Sequence, residues 1–345
     1  MKITIRTIAE KAGVSVPTVS RVLNSPQLVS PDTRDRVLAV IESMDFYPNE
    51  TARRLRSSTS RTFGVIVPQI RDFFFAEIYQ GMFSAASALG ANLLLHDAQS
   101  DENRLIAGFS ELKRLQCKGI VFLSAPISKK LEITISRAGI PVVFALTEPP
   151  TGLFSSFRVD EVKAAFDAVA HLIVRGHRKI AMISGPLENK VTGTARWNGY
   201  QQALRHYGLE YNERRLAFGD FRFRDGYAAM ETLLPVLRAD PFTAIFAASD
   251  EMAIGAMRCL HDNGLRVPEH MSIVGFDNIP LAEMVIPALS TIAQPFADIG
   301  AAAVNGLQAG LDQDKSSFQA VKRYLPHVLV ERESVRMISG DCRFE

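Results

Sequence analysis

The stretch Thr4-Ile5-Arg6-Thr7-Ile8-Ala9-Glu10-Lys11-Ala12-Gly13-Val14-Ser15-Val16-Pro17-Thr18-Val19-Ser20-Arg21-Val22-Leu23-Asn24 decides how the N-terminal part of this chain folds. Thr4 is a good N-cap, and Ile5, Ile8 and Ala9 then share one face of a short helix predicted over Ile5–Ala12. Gly13 supplies the left-handed turn that ends it. Ser15 caps a second helix predicted over Val16–Leu23, with Pro17 in its first turn, where no intrahelical N–H is lost. Val19, Val22 and Leu23 form the inward stripe, leaving Thr18, Ser20 and Arg21 outward. Two short helices joined by a tight glycine turn make a helix-turn-helix unit. Ser30-Pro31 starts a third helix, whose Val37, Leu38, Val40, Ile41 and Met44 are expected to close a three-helix core.

Charge is distributed in keeping with this. Residues 1–61 carry ten lysines and arginines against six acids, so this segment is about +4, while the whole chain of 345 residues is +2. A basic head on a mildly acidic body fits contact with nucleic acid at one end. The second helix of such a unit enters the major groove; small hydroxyls hold phosphates, and Arg21 is long enough to reach a guanine edge. A further segment, Tyr47-Pro48-Asn49-Glu50-Thr51-Ala52-Arg53-Arg54-Leu55-Arg56, reads as about two helical turns, too short to be stable alone in water. Asn49 can cap it. Leu55 among arginines suits a wedge into the minor groove, and Ser57-Ser58-Thr59-Ser60 reads as a linker.

Beyond Arg61 the pattern turns to alternating strands and helices. Predicted strands are Phe63–Val67, Asn92–Leu95, Gly119–Leu123, Val142–Leu146, Ile180–Ser184, Leu216–Gly219, Ala244–Ala248, Ser272–Phe276 and Ser290–Ala293. Predicted helices include Ala76–Leu89, Arg104–Gln116, Glu161–Arg175, Thr194–Tyr207, Asp225–Leu237 and Glu251–Asn263. Short apolar strands alternating with helices imply doubly wound parallel sheets, and the set is long enough for two lobes dividing near Val159–Glu161. Ligands bind outside the C-terminal strand ends of such sheets, here the cleft between lobes. Strand ends carry Phe73-Phe74-Phe75, Arg196-Trp197, Asp220-Phe221, Ser249-Asp250-Glu251 and Asp277-Asn278. Arginine donors, carboxylate acceptors and aromatic faces together suit a small polyol, although a strand-end aspartate also serves simply as a helix cap.

Both parts resemble the lactose-repressor/galactose-repressor (LacI/GalR) family. The run Ile8–Asn24 resembles its DNA-binding head, and Tyr47-Pro48-Asn49 with Ala52-Arg53-Arg54-Leu55 resembles its hinge helix. In the body the resemblance is carried by Phe74-Phe75-Ala76-Glu77, Arg175-Gly176-His177-Arg178-Lys179-Ile180, Ala195-Arg196-Trp197-Asn198-Gly199-Tyr200, Ser249-Asp250-Glu251-Met252-Ala253, Gly264-Leu265-Arg266-Val267-Pro268 and Ser272–Pro280. The resemblance implies an all-α helix-turn-helix head (residues 1–47), a hinge helix and linker (48–61) and a periplasmic-binding-protein-like α/β body (62–345). Its first lobe would comprise residues 62–160 and 294–323, its second 161–293 and 324–345.

By position, the resemblance puts DNA contacts on Thr4, Ser15, Val16, Pro17, Thr18, Ser20, Arg21, Asn24, Ser30, Asn49, Ala52, Arg53 and Leu55. Effector contacts fall on Phe74, Phe75, Arg196, Phe221, Ser249 and Asp277. The family usually has asparagine where Ser249 stands, so an amide donor is lost. Val16 and Pro17 are poor donors, so base choice leans on Arg21 and on apolar contacts such as thymine methyls. Asp160 and Asp250 have acidic family counterparts but read better as helix caps. The implied function is a repressor of a carbohydrate-utilisation operon. A homodimer would bind pseudo-palindromic operator DNA under control of a sugar or sugar derivative. That coupling is worth about 1–3 kcal/mol.

Two other readings stand beside it: a sugar-binding protein without regulatory role, and a sugar-handling enzyme. No nucleophile–base pair, phosphate loop or metal-ligand spacing supports catalysis, a metal or a cofactor. His177 reads as a loop histidine, and Met82, Met182, Met230, Met252, Met257 and Trp197 as packing residues. No run approaches the ~18 apolar residues of a membrane span. Met1–Arg6 lacks the apolar segment of a secretory signal, and Cys117, Cys259 and Cys342 are far apart. A cytoplasmic protein with reduced thiols is therefore expected. The segment 331–345 shows no heptad that would build a tetramer.

Overall fold

A computed structural model describes residues 3–46, 61–124, 127–313 and 319–338. The chain divides into two compact units, residues 1–60 and 61–345.

In the first unit, helix α1 (Ile5–Ala12) is capped by Thr4 and Thr7, whose side chains and backbones answer each other, and Gly13 ends it at φ 65°. Helix α2 (Val16–Asn24) begins at Ser15, whose Oγ accepts from the Thr18 N–H. Helix α3 (Pro31–Ser43) follows a 3₁₀ turn at Pro26–Leu28 that the sequence did not announce. Ser30 precedes α3, but its hydroxyl donates to Thr33 Oγ1 instead of capping the backbone. Ile8, Val19 and Val37 are fully buried where the three helices meet, each worth about 1.5–3 kcal/mol of transfer free energy. Leu38, expected in this core, is 45% exposed: it lies one residue past Val37, about 100° around the helix, and Val40, Ile41, Met44 and Phe46 complete the packing instead.

Among the described residues, the second unit contains two six-stranded sheets. The first comprises β1 (Arg61–Val67), β2 (Ala91–Asp97), β3 (Gly119–Leu123), β4 (Val142–Ala145), β5 (Ser155–Arg158) and β11 (Lys322–Tyr324). Its order is β11-β5-β4-β3-β1-β2, all parallel. The second comprises β6 (Ile180–Ser184), β7 (Leu216–Phe218), β8 (Ala244–Ala247), β9 (Ser272–Asp277), β10 (Ser290–Ala293) and β12 (Val328–Val330). Its order is β12-β10-β9-β8-β6-β7, with only β12 antiparallel. Central strands such as Gly119–Leu123 and Ile180–Ser184 are buried along their whole length, as parallel strands covered on both faces must be.

Helices α4 (Phe75–Ala88), α5 (Glu102–Arg114), α6 (Lys129–Ser136) and α12 (Phe296–Asp312) belong to the first sheet's lobe, and α7 (Glu161–Val174), α8 (Gly193–His206), α9 (Phe223–Ala239), α10 (Asp250–Asp262) and the short α11 (Leu281–Met284) to the second. The chain passes between lobes three times: from β5 into α7, from β10 into α12, and from β11 to β12. Tyr324, assigned from the sequence to the second lobe, pairs with Arg158 in the first sheet.

Three helix pairs cross at glycines. A Cβ on Gly81 of α4 would lie 1.9 Å from the Ala297 carbonyl oxygen of α12, and one on Gly300 would lie 2.2 Å from the Ile78 oxygen. Gly226 and Gly255 meet the partner backbone of α10 and α9 at 2.2 and 2.1 Å, and Gly199 of α8 meets the Val162 oxygen of α7 at 2.3 Å. Each pair has its N-termini at the same edge of its sheet, the edge where the strands end.

Candidate functional site

Among the described residues of the head, the side chains proposed for DNA fall at the starts of α1, α2 and α3 and along α2. Thr4, Ser15, Pro17, Arg21 and Ser30 are exposed, and Val16, Thr18 and Ser20 half-buried. Ser15 Oγ and Thr18 Oγ1 lie 2.8 Å apart, so the capping hydroxyls form a polar corner at the helix start. Arg21 stands one turn further along α2, whose opposite face is anchored by Val19 and Val22. Of the remaining candidates, Asn49, Ala52, Arg53 and Leu55 lie outside the described residues, as does the side chain of Asn24.

In the body, a cavity of about 510 Å³ lies between the lobes. Strand ends furnish its walls: Gln69 and Ser124 after β1 and β3, Asp220 after β7, Ser249 after β8, Asp277 on β9 and Gln294 after β10. Of the six proposed effector residues, Phe74, Arg196, Phe221, Ser249 and Asp277 line this cavity. Phe75 does not; its ring packs on Tyr79 along α4, at 5.6 Å between centroids.

Arg196 is the centre of the floor. It is 4% exposed; its Nε donates to Glu161 Oε2 at 2.6 Å, Nη1 donates to the Ala248 carbonyl at 2.5 Å, and Nη2 lies 3.6 Å from Asp277 Oδ1. The guanidinium sits 3.7 Å from the Phe276 ring centroid, a cation–π contact that compensates lost hydration. Burial works against its charge, but Glu161, Asp277 and Asp250 outweigh burial and raise its pKa above the ordinary value.

Asp277 is pushed the other way: burial raises its carboxyl to about 6, Arg196 and the Gln294 amide oppose the rise, and Glu161 and Glu251 add to it. Gln294 Nε2 donates to Asp277 Oδ1 at 2.7 Å, leaving its own buried Oε1 without a partner. The folded state thus favours protonated Asp277. Its contribution to stability is present below the ordinary carboxylate value of 3.8 and is lost as pH rises through about 6. The melting temperature of Asp277→Asn minus that of the wild type should therefore grow between about pH 4 and 6 in the unliganded protein, by calorimetry. A flat difference would show that burial of this carboxylate carries no penalty.

Asp250 does not cap α10, as its position at a strand end suggested. It is fully buried, accepts from Thr291 Oγ1 and the Ile279 N–H, and is held well above the usual carboxylate range by burial and by Asp277. The cap is Ser249, whose Oγ accepts from the Met252 N–H and donates to the Phe221 carbonyl. Its hydroxyl is thus committed to holding Phe221, whose φ is 63° and whose ring covers Gly185. Ser100, Ser124, Leu146 and Asp277 also line the cavity with positive φ. Such conformations cost about 1–3 kcal/mol each and persist where surrounding structure imposes them. Asp160 caps α7 through the Lys163 N–H and lines a separate cavity of about 350 Å³.

Several lining residues went unread in the sequence. Arg222 reaches across the mouth of the cleft: Nη2 contacts Asp72 at 2.5 Å and Gln69 at 3.0 Å on the first lobe, and Nη1 contacts Glu251 at 3.2 Å on its own lobe. Phe74 and Phe296 stack at 5.2 Å, both at N-termini of the α4–α12 pair. Glu161 and Gln294 complete the floor. Their only signal was position, Glu161 at the predicted lobe boundary and Gln294 just after a predicted strand. His177 lies in a loop but is fully buried, between Thr243 Oγ1 (2.8 Å) and the Arg336 carbonyl (3.2 Å), with its pKa lowered to about 4 chiefly by burial. It is not among the described residues that line the cavity.

A helix-turn-helix head joined to a two-lobed α/β body with a polar inter-lobe cavity defines a DNA-binding transcription regulator with a ligand-binding domain. Residues 4–49 match the bacterial regulatory proteins of the lacI family, and residues 169–335 match the periplasmic binding protein-like domain. Catabolite control protein A of Priestia megaterium is 35% identical over 336 residues, 97% of this chain and 100% of that protein. The HTH-type transcriptional repressor CytR of Escherichia coli is 38% identical over 297 residues, 86% of each chain. The crystal structure of the lac repressor dimer bound to operator and the anti-inducer ONPF superposes with a TM-score of 0.87 at 27% identity, covering 97% of this chain and all of that one. The chain belongs to the lacI family of bacterial regulatory proteins, whose members regulate transcription and are not enzymes. No helix among the described residues is long and apolar enough to cross a membrane.

Proposed function

We propose that this chain is a cytoplasmic, non-enzymatic repressor of a carbohydrate-utilisation operon. A homodimer holds two heads on a pseudo-palindromic operator, and a sugar or sugar derivative in the inter-lobe cleft sets its affinity. The observation that carries the reading is the convergence of Arg196, Asp277, Gln294 and the aromatic rings of Phe74 and Phe221 on one cavity between lobes. Charged and amide groups there bind hydroxyls, and the rings cover the apolar side of a sugar. Phe74, Arg196, Phe221 and Asp277 are the effector contacts, with Ser249 positioning Phe221. The likeness to a lac repressor dimer crystallised on operator supports the DNA-bound dimer.

In the head, Arg21 reads a base edge while Ser15, Thr18 and Ser20 hold phosphates, with Thr4, Val16, Pro17, Asn24 and Ser30 alongside. Asn49, Ala52, Arg53 and Leu55 complete the DNA contacts. Arg21→Ala should cost about 1–3 kcal/mol of specific binding, the value of one bidentate base contact, and leave non-specific binding nearly unchanged. Equal loss on operator and random DNA, by titration at fixed salt, would remove Arg21 from base reading. Binding to a palindromic site upstream of the regulated genes, measured across salt concentrations with and without a sugar panel, tests the whole assignment. Absence of salt-sensitive specific binding would refute it.

A further inference from the structure

We propose that the effector is an uncharged polyhydroxylated molecule, bearing neither phosphate nor carboxylate. The inference rests on the cleft being the effector site and follows from its charges. Six carboxylates line the cavity among the described residues: Asp72, Glu161, Glu188, Asp220, Glu251 and Asp277. They face three guanidiniums, those of Arg71, Arg196 and Arg222. Two of the three are already used. Arg196 is held by Glu161, the Ala248 carbonyl and Asp277. Arg222 is held by Asp72, Gln69 and Glu251. Arg71 is exposed and donates to Gln69. An anionic ligand would gain no free buried cation and would sit among surplus carboxylates.

Of the helix N-termini at the cleft, the other common anion binders, those of α9, α10 and α8 are occupied, while α4 and α12 carry no side-chain cap and instead place an acidic residue in the first turn, Asp298 in α12. Asp225 Oδ2 accepts from the Asp220 and Arg222 N–H groups ahead of α9. Ser249 caps α10, which carries Asp250 and Glu251 in its first turn. Asn189 accepts from the Thr192 and Thr194 N–H groups at the start of α8. Helix α4 has Glu77 in its first turn. Among the described residues, Gln294 Oε1 and Thr192 Oγ1 are buried without partners in residues lining the cavity, and of the two the amide oxygen can only accept. A hydroxyl satisfies an amide oxygen by donating to it, whereas a phosphate or carboxylate oxygen cannot.

The test pairs neutral compounds with their anionic derivatives: pentoses, hexoses, disaccharides and nucleosides against their phosphate esters and uronic acids. The full chain is titrated by calorimetry and thermal shift at constant pH and ionic strength. A neutral member should bind and its anionic derivative should bind at least about 100-fold more weakly, because like charges brought together in a desolvated site are strongly repulsive. A phosphate or uronate that binds as tightly as its neutral parent, or more tightly, overturns the proposal. If no compound of either kind shifts the melting temperature while operator binding persists, the effector-site reading falls, and the proposal with it. Glu251→Gln supplies an independent arm by releasing Arg222 Nη1. It should narrow the neutral-to-phosphate ratio several-fold. An unchanged ratio would show that cleft charge does not set the selection.

Discussion

Replacing Arg196 with methionine is expected to destabilise the body by about 3–5 kcal/mol, the cost of breaking a buried ion pair by removing one partner. Glu161 is 1% exposed and would be left without its guanidinium, and the Ala248 carbonyl would lose its donor. The loss exceeds that of an exposed pair such as Lys163–Asp167, worth about 0–1 kcal/mol at a solvated surface. Methionine keeps much of the packing against Phe276, so the deficit isolates the charge. Urea unfolding of the unliganded protein measures it, and a loss below about 1 kcal/mol would show that water reaches Glu161 and that the pair is not truly buried. The double variant Arg196→Met, Glu161→Leu should recover much of the stability, since an apolar pair often replaces a buried ionic one at little cost. It should not recover effector binding. That separates the structural share of Arg196 from its share in recognition.

Gly81→Ala should also be strongly destabilising, against the trend for helical glycines. Helix propensity alone favours alanine by about 1 kcal/mol. Here the added Cβ would lie 1.9 Å from the Ala297 carbonyl oxygen and 2.6–2.7 Å from its carbon atoms. No side chain can swing away, so α4 and α12 must separate, and overpacking of this kind costs about 1–3 kcal/mol net of relaxation. The shift moves the Phe74–Phe296 stack with the helices. Weakened effector binding should therefore accompany the stability loss. A stabilised variant with unaltered binding would mean that the two helices are not held at this distance in solution.

Much of the frame was legible because local chemistry and tertiary structure agree there. Thr4, Gly13 and Ser15 punctuate the head in the sequence as they do in space. Strands such as Gly119–Leu123 and Ile180–Ser184 announce themselves as apolar runs because both faces are covered. Strand β5 was missed because Ser155-Ser156-Phe157-Arg158 is buried without being apolar, and β11 and β12 are three-residue edge strands. Helix α12 escaped because its alanines and glycines mark close packing more than an amphipathic stripe. In the cleft, Phe74, Arg196, Phe221, Ser249 and Asp277 stand at strand ends, where topology alone directs attention. Arg222 could not be read from its neighbours: its contacts with Gln69 and Asp72 join positions about 150 residues apart and exist only once the lobes meet. The roles of Ser249 and Asp250 needed coordinates too, since one hydroxyl rotamer and one buried carboxylate decide which of them caps α10.

The three passages between lobes make each lobe discontinuous in the chain, and this bears on its synthesis. The first sheet gains its last strand only when Lys322–Tyr324 pairs with Ser156–Arg158, and helix α12 packs on β3, β4 and β5 from residues 296–312. Both arrive after the entire second-lobe segment from α7 to β10 has left the ribosome. An unfinished first lobe must therefore wait, with part of one sheet face uncovered and β5 as an open edge, while its neighbour is made. That interval is when such a nascent chain most needs protection from aggregation.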